Sequence, residues 1–188
     1  MEHIVTPSTV PDENFNKWSL PVKMGLLIAL IKIIFSTVAY QFFLESWGMT
    51  MLFTFLSFTL GAVLLGVTGV QQRKALGGYM DIKQAFQAIF IAALIVVVLN
   101  FTYDFIYMRF IDASMVDKIR ESSISAAENW GAPQEKLDEM AEEFDKQNED
   151  KLNFGKQLLS IATQIVWYGI VSFICAAIVK KNKPVYMD

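Results

Sequence analysis

The chain has 188 residues, 54% of them apolar, with 16 basic and 19 acidic side chains and a formal net charge of −3. A chain of one domain's length cannot hide that much apolar material in an ordinary soluble core, which makes a membrane the expected solvent. The single Cys175 lies in the last apolar stretch and cannot form an intramolecular disulfide, and the single His3 sits in a polar N-terminal tail, so no His/Cys metal cluster and no Ser/His or Cys/His catalytic pair is expected.

Residues 1–20 form a polar, nearly neutral approach that carries His3. The segment is too long and too weakly basic for a signal peptide, and Lys32 interrupts any apolar signal core, so the first apolar stretch reads as a retained span. Glu2 stands where myristoylation needs glycine and the chain ends in YMD, so no lipid anchor is expected. Four apolar stretches follow: Val22 to Leu44, Met49 to Val70, Ala85 to Tyr103 and Leu158 to Val179. Each matches the roughly 20 residues a helix needs to cross about 30 Å of hydrocarbon. The second and fourth hold no charge at all, whereas the core helix of a soluble protein would carry a polar face.

The expected fold is all-α: an integral membrane four-helix bundle with an extramembrane helical hairpin between spans three and four. Its parts are a cytoplasmic tail over 1–20, three transmembrane helices over 21–110, an acidic extracytoplasmic hairpin over 111–156, and the fourth transmembrane helix with a basic cytoplasmic tail over 157–188. The orientation comes from short-loop charge. The 71–84 loop carries Arg73, Lys74 and Lys83 and the tail carries Lys180, Lys181 and Lys183, while the turn from Glu45 to Gly48 carries no basic residue. Four spans put both basic segments on one side, which is then the cytoplasm. Trp47, Tyr103 and Tyr107 fall near the outer interface and Trp18 and Tyr79 near the inner one.

Residues 111–155 hold twelve acidic and five basic side chains, too polar to cross a membrane. Ser114 and Asp117 resemble a capping box that opens a helix reaching Asn129, with Met115, Ile119 and Ala126 on one side. Gly131 stops that helix, and Pro133 suits the first turn of a second, with Glu135, Asp138 and Glu139 at its positive end. Leu137, Met140 and Phe144 then form an apolar stripe, a candidate partner-binding surface that could equally pack on the first insert helix or the spans. The acids read as a solvated face; EEFDKQNED lacks the central glycine of a calcium loop, so no metal is assigned. Gly61, Gly66, Gly69, Gly77 and Gly78 fit no phosphate-binding loop, and no cofactor is expected.

Each span carries small and polar residues at helical spacing, expected to turn toward the other spans. They are Gly25, Ala29, Lys32, Ser36 and Tyr40; Thr50, Thr54, Ser57, Gly61 and Thr68; Ala93, Asn100, Asp104 and Tyr107; and Ser160, Gln164, Tyr168, Ser172 and Cys175. Lys32 stands out because a charge near the bilayer centre costs about 2.5–3.5 kcal/mol or more. It lies roughly 15 Å from the inner end of its span and Asp104 roughly 27–29 Å, a mismatch of about 12 Å. Asn100 and Gln164, at roughly 22 Å, are nearer in depth. The candidate site is therefore a polar layer of Lys32, Asn100 and Gln164, with Asp104 closer to the outer surface. Three readings of it stay open: a knot that fixes helix register, a polar path or small-molecule site, and snorkelling of Lys32 along its own helix.

GGYMDIKQAF, the third span ending YDFIYMRFIDAS, the break and restart at GAPQEKLDEM, and the final KKNKP together resemble the bacterial family called domain of unknown function 4199, common in Bacteroidota. The resemblance covers nearly the whole chain. It departs at Ala113, where the family pattern is expected to carry proline, which leaves the sharpness of the span-to-insert turn open. The resemblance implies a four-span protein of the inner membrane of a diderm bacterium, with no activity to carry onto residues. It also hints at an accessory role in lipid-linked sugar chemistry.

Without a catalytic constellation, the leading expectation is a non-enzymatic interaction or scaffold protein of the cell envelope. Its partners would be the lipid bilayer, an envelope protein met through the 111–156 hairpin, and a second copy of the chain, with no nucleic acid. The alternative is a small transporter, flippase-like protein or accessory subunit that uses the polar layer around Lys32.

Overall fold

A computed structural model describes residues 18–151 and 154–183, with side-chain surroundings for 18–146 and 158–183. Residues 1–17 of the expected tail lie outside the described residues. The described residues form six α-helices: α1 (Ser19–Phe42), α2 (Trp47–Ala75), α3 (Ile82–Ile106), α4 (Met115–Asn129), α5 (Gln134–Lys151) and α6 (Phe154–Val179). A π-helical turn over Tyr107–Ile111 extends α3. Four segments are long and apolar enough to cross a membrane: Ser19–Phe42, Trp47–Ala75, Ile82–Ile111 and Leu158–Val179. The chain is thus an all-α, multi-pass membrane protein.

In a membrane, lipid replaces water around the outer surface, so side-chain size sorts inside from outside. Leu26, Leu30, Ile34, Phe55, Val63, Trp167 and Ile178 are exposed on the outer surface. Inside, α3 packs against α1, α2 and α6 through a seam of small residues: Ala85, Ala88, Ala92 and Ala93 are each at most 2% exposed. The seam is tight. A β-carbon added at Gly25 would sit 2.9 Å from the Ala92 carbonyl oxygen, and one added at Gly69 would sit 2.7 Å from Ile89 Cδ1. Ile28, Leu65, Ile89, Val96, Ala176 and Val179 complete this core. Of the small and polar faces expected to turn inward, Gly25, Ala29, Gly61, Thr68, Ala93, Tyr107 and Ser172 are buried, whereas Thr54 and Ser160 are exposed.

Helix ends follow local chemistry. Asp81 caps α3: its side chain accepts from the Gln84 amide at 2.7 Å while the Gln84 side chain accepts from the Asp81 amide at 3.3 Å. This capping box in MDIKQ was not among the expected signals. The one that was expected, Ser114 with Asp117, does not form. α4 does begin at Met115, but the Ser114 side chain makes no capping bond and donates instead to Asp112 Oδ1 at 2.6 Å. The carboxylate two residues earlier also accepts from the Ser114 amide at 3.0 Å and from Lys118 Nζ at 2.8 Å. A single ionised group gathering three donors outcompetes the backbone for the serine hydroxyl. This carboxylate turn joins span to insert. Gly131, at φ +80°, ends α4 with its amide bonded to the Glu128 carbonyl, a conformation that a β-carbon would strain. Lys136 and Leu137 amides bond the Pro133 carbonyl, which opens α5.

Opposite the insert, the 71–84 loop and the segment after α6 are fastened together. Met80 and Lys181 exchange both backbone hydrogen bonds at 2.9 Å, Arg73 Nη1 donates to the Val179 carbonyl at 2.7 Å, and Lys181 Nζ lies 5.3 Å from the centre of the Tyr79 ring. The basic residues of both segments thus share one end of the bundle.

Candidate functional site

α1 and α3 run side by side in the same direction, because each lies one span and one return apart in the chain. Three contacts at nearly constant sequence offset follow from that. Thr37 Oγ1 and Tyr103 Oη are 2.6 Å apart, Tyr40 Oη donates to Asp104 Oδ1 at 3.0 Å, and Gln41 Nε2 donates to Tyr107 Oη at 2.8 Å. Thr37, Tyr40, Gln41 and Leu44 face Tyr103, Asp104 and Tyr107, each set repeating at three and four residues, the spacing that holds one helix face. The rings of Tyr40 and Tyr107 lie 5.1 Å apart and those of Tyr103 and Tyr107 5.8 Å. Leu44 and Met115 close this cluster on the insert side, with Tyr107 2% exposed. The π-helical turn begins at Tyr107, a local widening of the helix often associated with functional positions.

Lys32 sits deeper. Its Nζ donates to Tyr168 Oη of α6 at 3.1 Å and lies 5.8 Å from the centre of that ring. The lysine passes beside Gly61 of α2, where an added β-carbon would stand 3.6 Å from Cδ and 3.7 Å from Nζ. That is ordinary contact distance, so the lysine lies against this face of α2 without being crowded by it. Among the described residues the ion pairs all lie in the insert, so none joins Lys32 to Asp104. Eight residues separate Lys32 from Tyr40, about 12 Å along α1, which is the depth difference read from the sequence.

Asn100 does not meet Lys32, because its Nδ2 donates to the Val96 carbonyl of its own helix at 2.9 Å. Gln164 is half-buried on α6, one turn before Tyr168, and Lys32 donates to Tyr168 and not to it. Of the four, Lys32 thus lies with Tyr168 in the middle of the bundle and Asp104 with Tyr40 nearer the insert. Tyr168 and Tyr103 do the hydrogen bonding that composition pointed to in Asn100 and Gln164. Phenols reach farther than amides, so they bridge helices where an asparagine folds back on its own backbone.

The insert is a packed hairpin. Leu137 of the apolar stripe is 7% exposed, Met140 and Phe144 are half-buried, and α5 packs on α4 and α6. Arg120 Nε pairs with Asp145 Oδ1 at 3.2 Å across the two insert helices. The hydrogen bond from Lys118, with those from Ser114, holds the Asp112 carboxyl below the usual carboxylate range, and the same bond raises the Lys118 ammonium. No group of three or more metal-ligating side chains occurs among the described residues.

The family described as Protein of unknown function (DUF4199) matches residues 23–181, and the chain belongs to that family. Comparison with the curated proteins and with the solved structures gives no match.

Proposed function

We propose that this member of a family of unknown activity is a non-enzymatic interaction or scaffold protein of a bacterial cell envelope. It would sit in the inner membrane with both termini cytoplasmic and the α4–α5 hairpin outside. One observation carries the reading: the hairpin turns its apolar stripe inward and its acids outward. Glu121, Glu128, Glu135, Asp138, Glu139, Glu142 and Glu143 are all exposed. Leu137 is spent on the hairpin's own packing, so a partner meets carboxylates first, and a basic surface is the complement. Carboxylates crowded on two short helices repel one another, a cost that a basic partner relieves.

Crosslinking in native membranes tests this. A partner should be recovered, and its capture should fall with added salt and disappear when Glu135, Asp138, Glu139 and Glu142 are all changed to glutamine. Association that survives both treatments sinks the proposal.

A second reading, a small transporter, flippase-like protein or accessory subunit in lipid-linked sugar chemistry, draws on a different observation. The hydrogen-bonded side chains of α1 and α3 run from Lys32 toward the insert, while the opposite half of the bundle is a mostly apolar core around Ile28, Leu65 and Ile89 that also buries Thr68, Gln72 and Ser172. Lys32→Met separates the readings: a well-folded variant that loses the deletion phenotype supports transport, and one that keeps it supports a register-fixing lysine.

A further inference from the structure

The α1–α2 turn and α4 line an open cleft of about 360 Å³ on the insert side of the bundle. Its α4 wall is one helical face: Ser122, Ser125, Ala126, Asn129 and Trp130 follow at i, i+3, i+4, i+7 and i+8. The opposite wall is the turn itself, with Glu45 and Trp47. That turn joins the end of one membrane span to the start of the next, which places the cleft at the boundary between hydrocarbon and water, at headgroup depth.

Its chemistry is specific. The indoles of Trp47 and Trp130 meet at 90° with centroids 4.7 Å apart, and Trp130 remains 72% exposed. Perpendicular aromatic walls beside a carboxylate make a site for an alkylammonium, attracted by the ring faces and by the charge. Glu45 is the one formally charged residue lining the cleft. The nearby Lys118 is held by Asp112 at 2.8 Å, and it acts on Glu45 only through space. Those three groups sum to one negative charge. Ser125 and Asn129 are exposed, and no hydrogen bond among the described residues occupies the hydroxyl or the amide. Both can donate to a phosphate next to the ammonium. Phe42, Met51 and Leu52, at the ends of the same two spans, are 75%, 51% and 56% exposed, so the span ends that adjoin the turn present apolar side chains to acyl chains.

We infer that this cleft binds the headgroup of a zwitterionic, ammonium-bearing phospholipid, with the ammonium between Glu45 and the two indoles and the phosphate at Ser125 and Asn129. The site would fasten the hairpin to one lipid class, and it is independent of the partner proposed above. An anionic headgroup without an amine lacks the group that the carboxylate and the rings select.

The test uses the full chain purified in mild detergent and offered equal amounts of phosphatidylethanolamine and phosphatidylglycerol of matched chains, with retained lipid read by native mass spectrometry. The ethanolamine lipid should be retained about fivefold over the glycerol lipid, the discrimination one exposed cation–π contact supplies. Glu45→Gln and Trp130→Ala should each erase that preference, and Trp130→Phe should keep part of it. Circular dichroism confirms that these exposed positions leave the helices intact. Equal or greater retention of phosphatidylglycerol, retention of neither lipid, or a preference unchanged in both variants overturns the inference.

Discussion

Replacing Gly25 by alanine tests the packing that sets everything above it. The new β-carbon would lie 2.9 Å from the Ala92 carbonyl oxygen, 3.0 Å from Ile95 Cβ and 3.1 Å from Ala92 Cα. Two of those atoms are backbone, so no side chain can swing aside, and α1 and α3 must part by about 0.5 Å to reach the 3.4 Å where ordinary contact begins. Overpacking of this kind costs about 1–3 kcal/mol, set against a helix-propensity gain of about 1 kcal/mol for Gly→Ala. Gly66→Ala is the control, because its β-carbon would meet only Cys175 Sγ at 4.0 Å. The propensity gain is common to both variants and cancels in the difference. Gly25→Ala should therefore be less stable than Gly66→Ala by about 1–3 kcal/mol, a factor of roughly 5 to 150 in the folded ratio. Unfolding of the two purified proteins in a mixed detergent titration, followed by circular dichroism, measures it. If the two variants unfold together, the α1–α3 contact is not as close as described and the reasoning fails.

Tyr40→Phe removes the donor to Asp104 and leaves a partly buried carboxyl short of a hydrogen bond, at a cost of about 1–3 kcal/mol; adding Asp104→Leu should restore most of the thermal stability, and a double variant weaker than the single would contradict the pairing. Arg73→Ala strips the Val179 carbonyl of its guanidinium, a charged hydrogen bond worth about 1.5–3 kcal/mol, and amide exchange at Met80 and Lys181 should quicken while that at Thr37 and Tyr103 does not. The joint at Asp112 has its own pH dependence. Its carboxyl is held below the ordinary value by Lys118 and Ser114, so its contribution is complete above the unfolded value of about 3.9 and is lost as pH falls through the lower folded value. Lys118 is raised, so its share persists until pH climbs past about 10.4. Limited proteolysis near Ala113 should be flat from about pH 5 to 9, and loosening near pH 6 would show that another group holds the turn.

The parts legible in the sequence are those governed by local composition. Span number and approximate length follow from hydropathy, which depends only on what each helix must be dissolved in. Gly131 and Pro133 punctuate the insert for reasons internal to their own backbones. Local competition was harder: the serine hydroxyl of the expected capping box went to Asp112, since three donors converge there only once the turn is folded. The matched spacing of Thr37, Tyr40 and Gln41 with Tyr103, Asp104 and Tyr107 was present in the sequence. It becomes a signal only if α1 and α3 are known to be parallel neighbours at the same depth.

Depth could be computed from 1.5 Å per residue, and it correctly separated Lys32 from Asp104. Rotation about each helix axis could not be, because polar residues on a span point wherever the packing of small residues allows. Gly25 against Ala92 and Gly69 against Ile89 set how close α3 comes to its neighbours, and with that which side chains meet. The sequence by itself determined that the chain is a four-span helical membrane protein with a polar insert, because the bilayer imposes length and apolarity one helix at a time. Only the tertiary structure decided that Lys32 meets Tyr168, that Asp104 meets Tyr40 and that Leu137 turns inward, because those contacts depend on the rotation and separation of helices far apart in the chain.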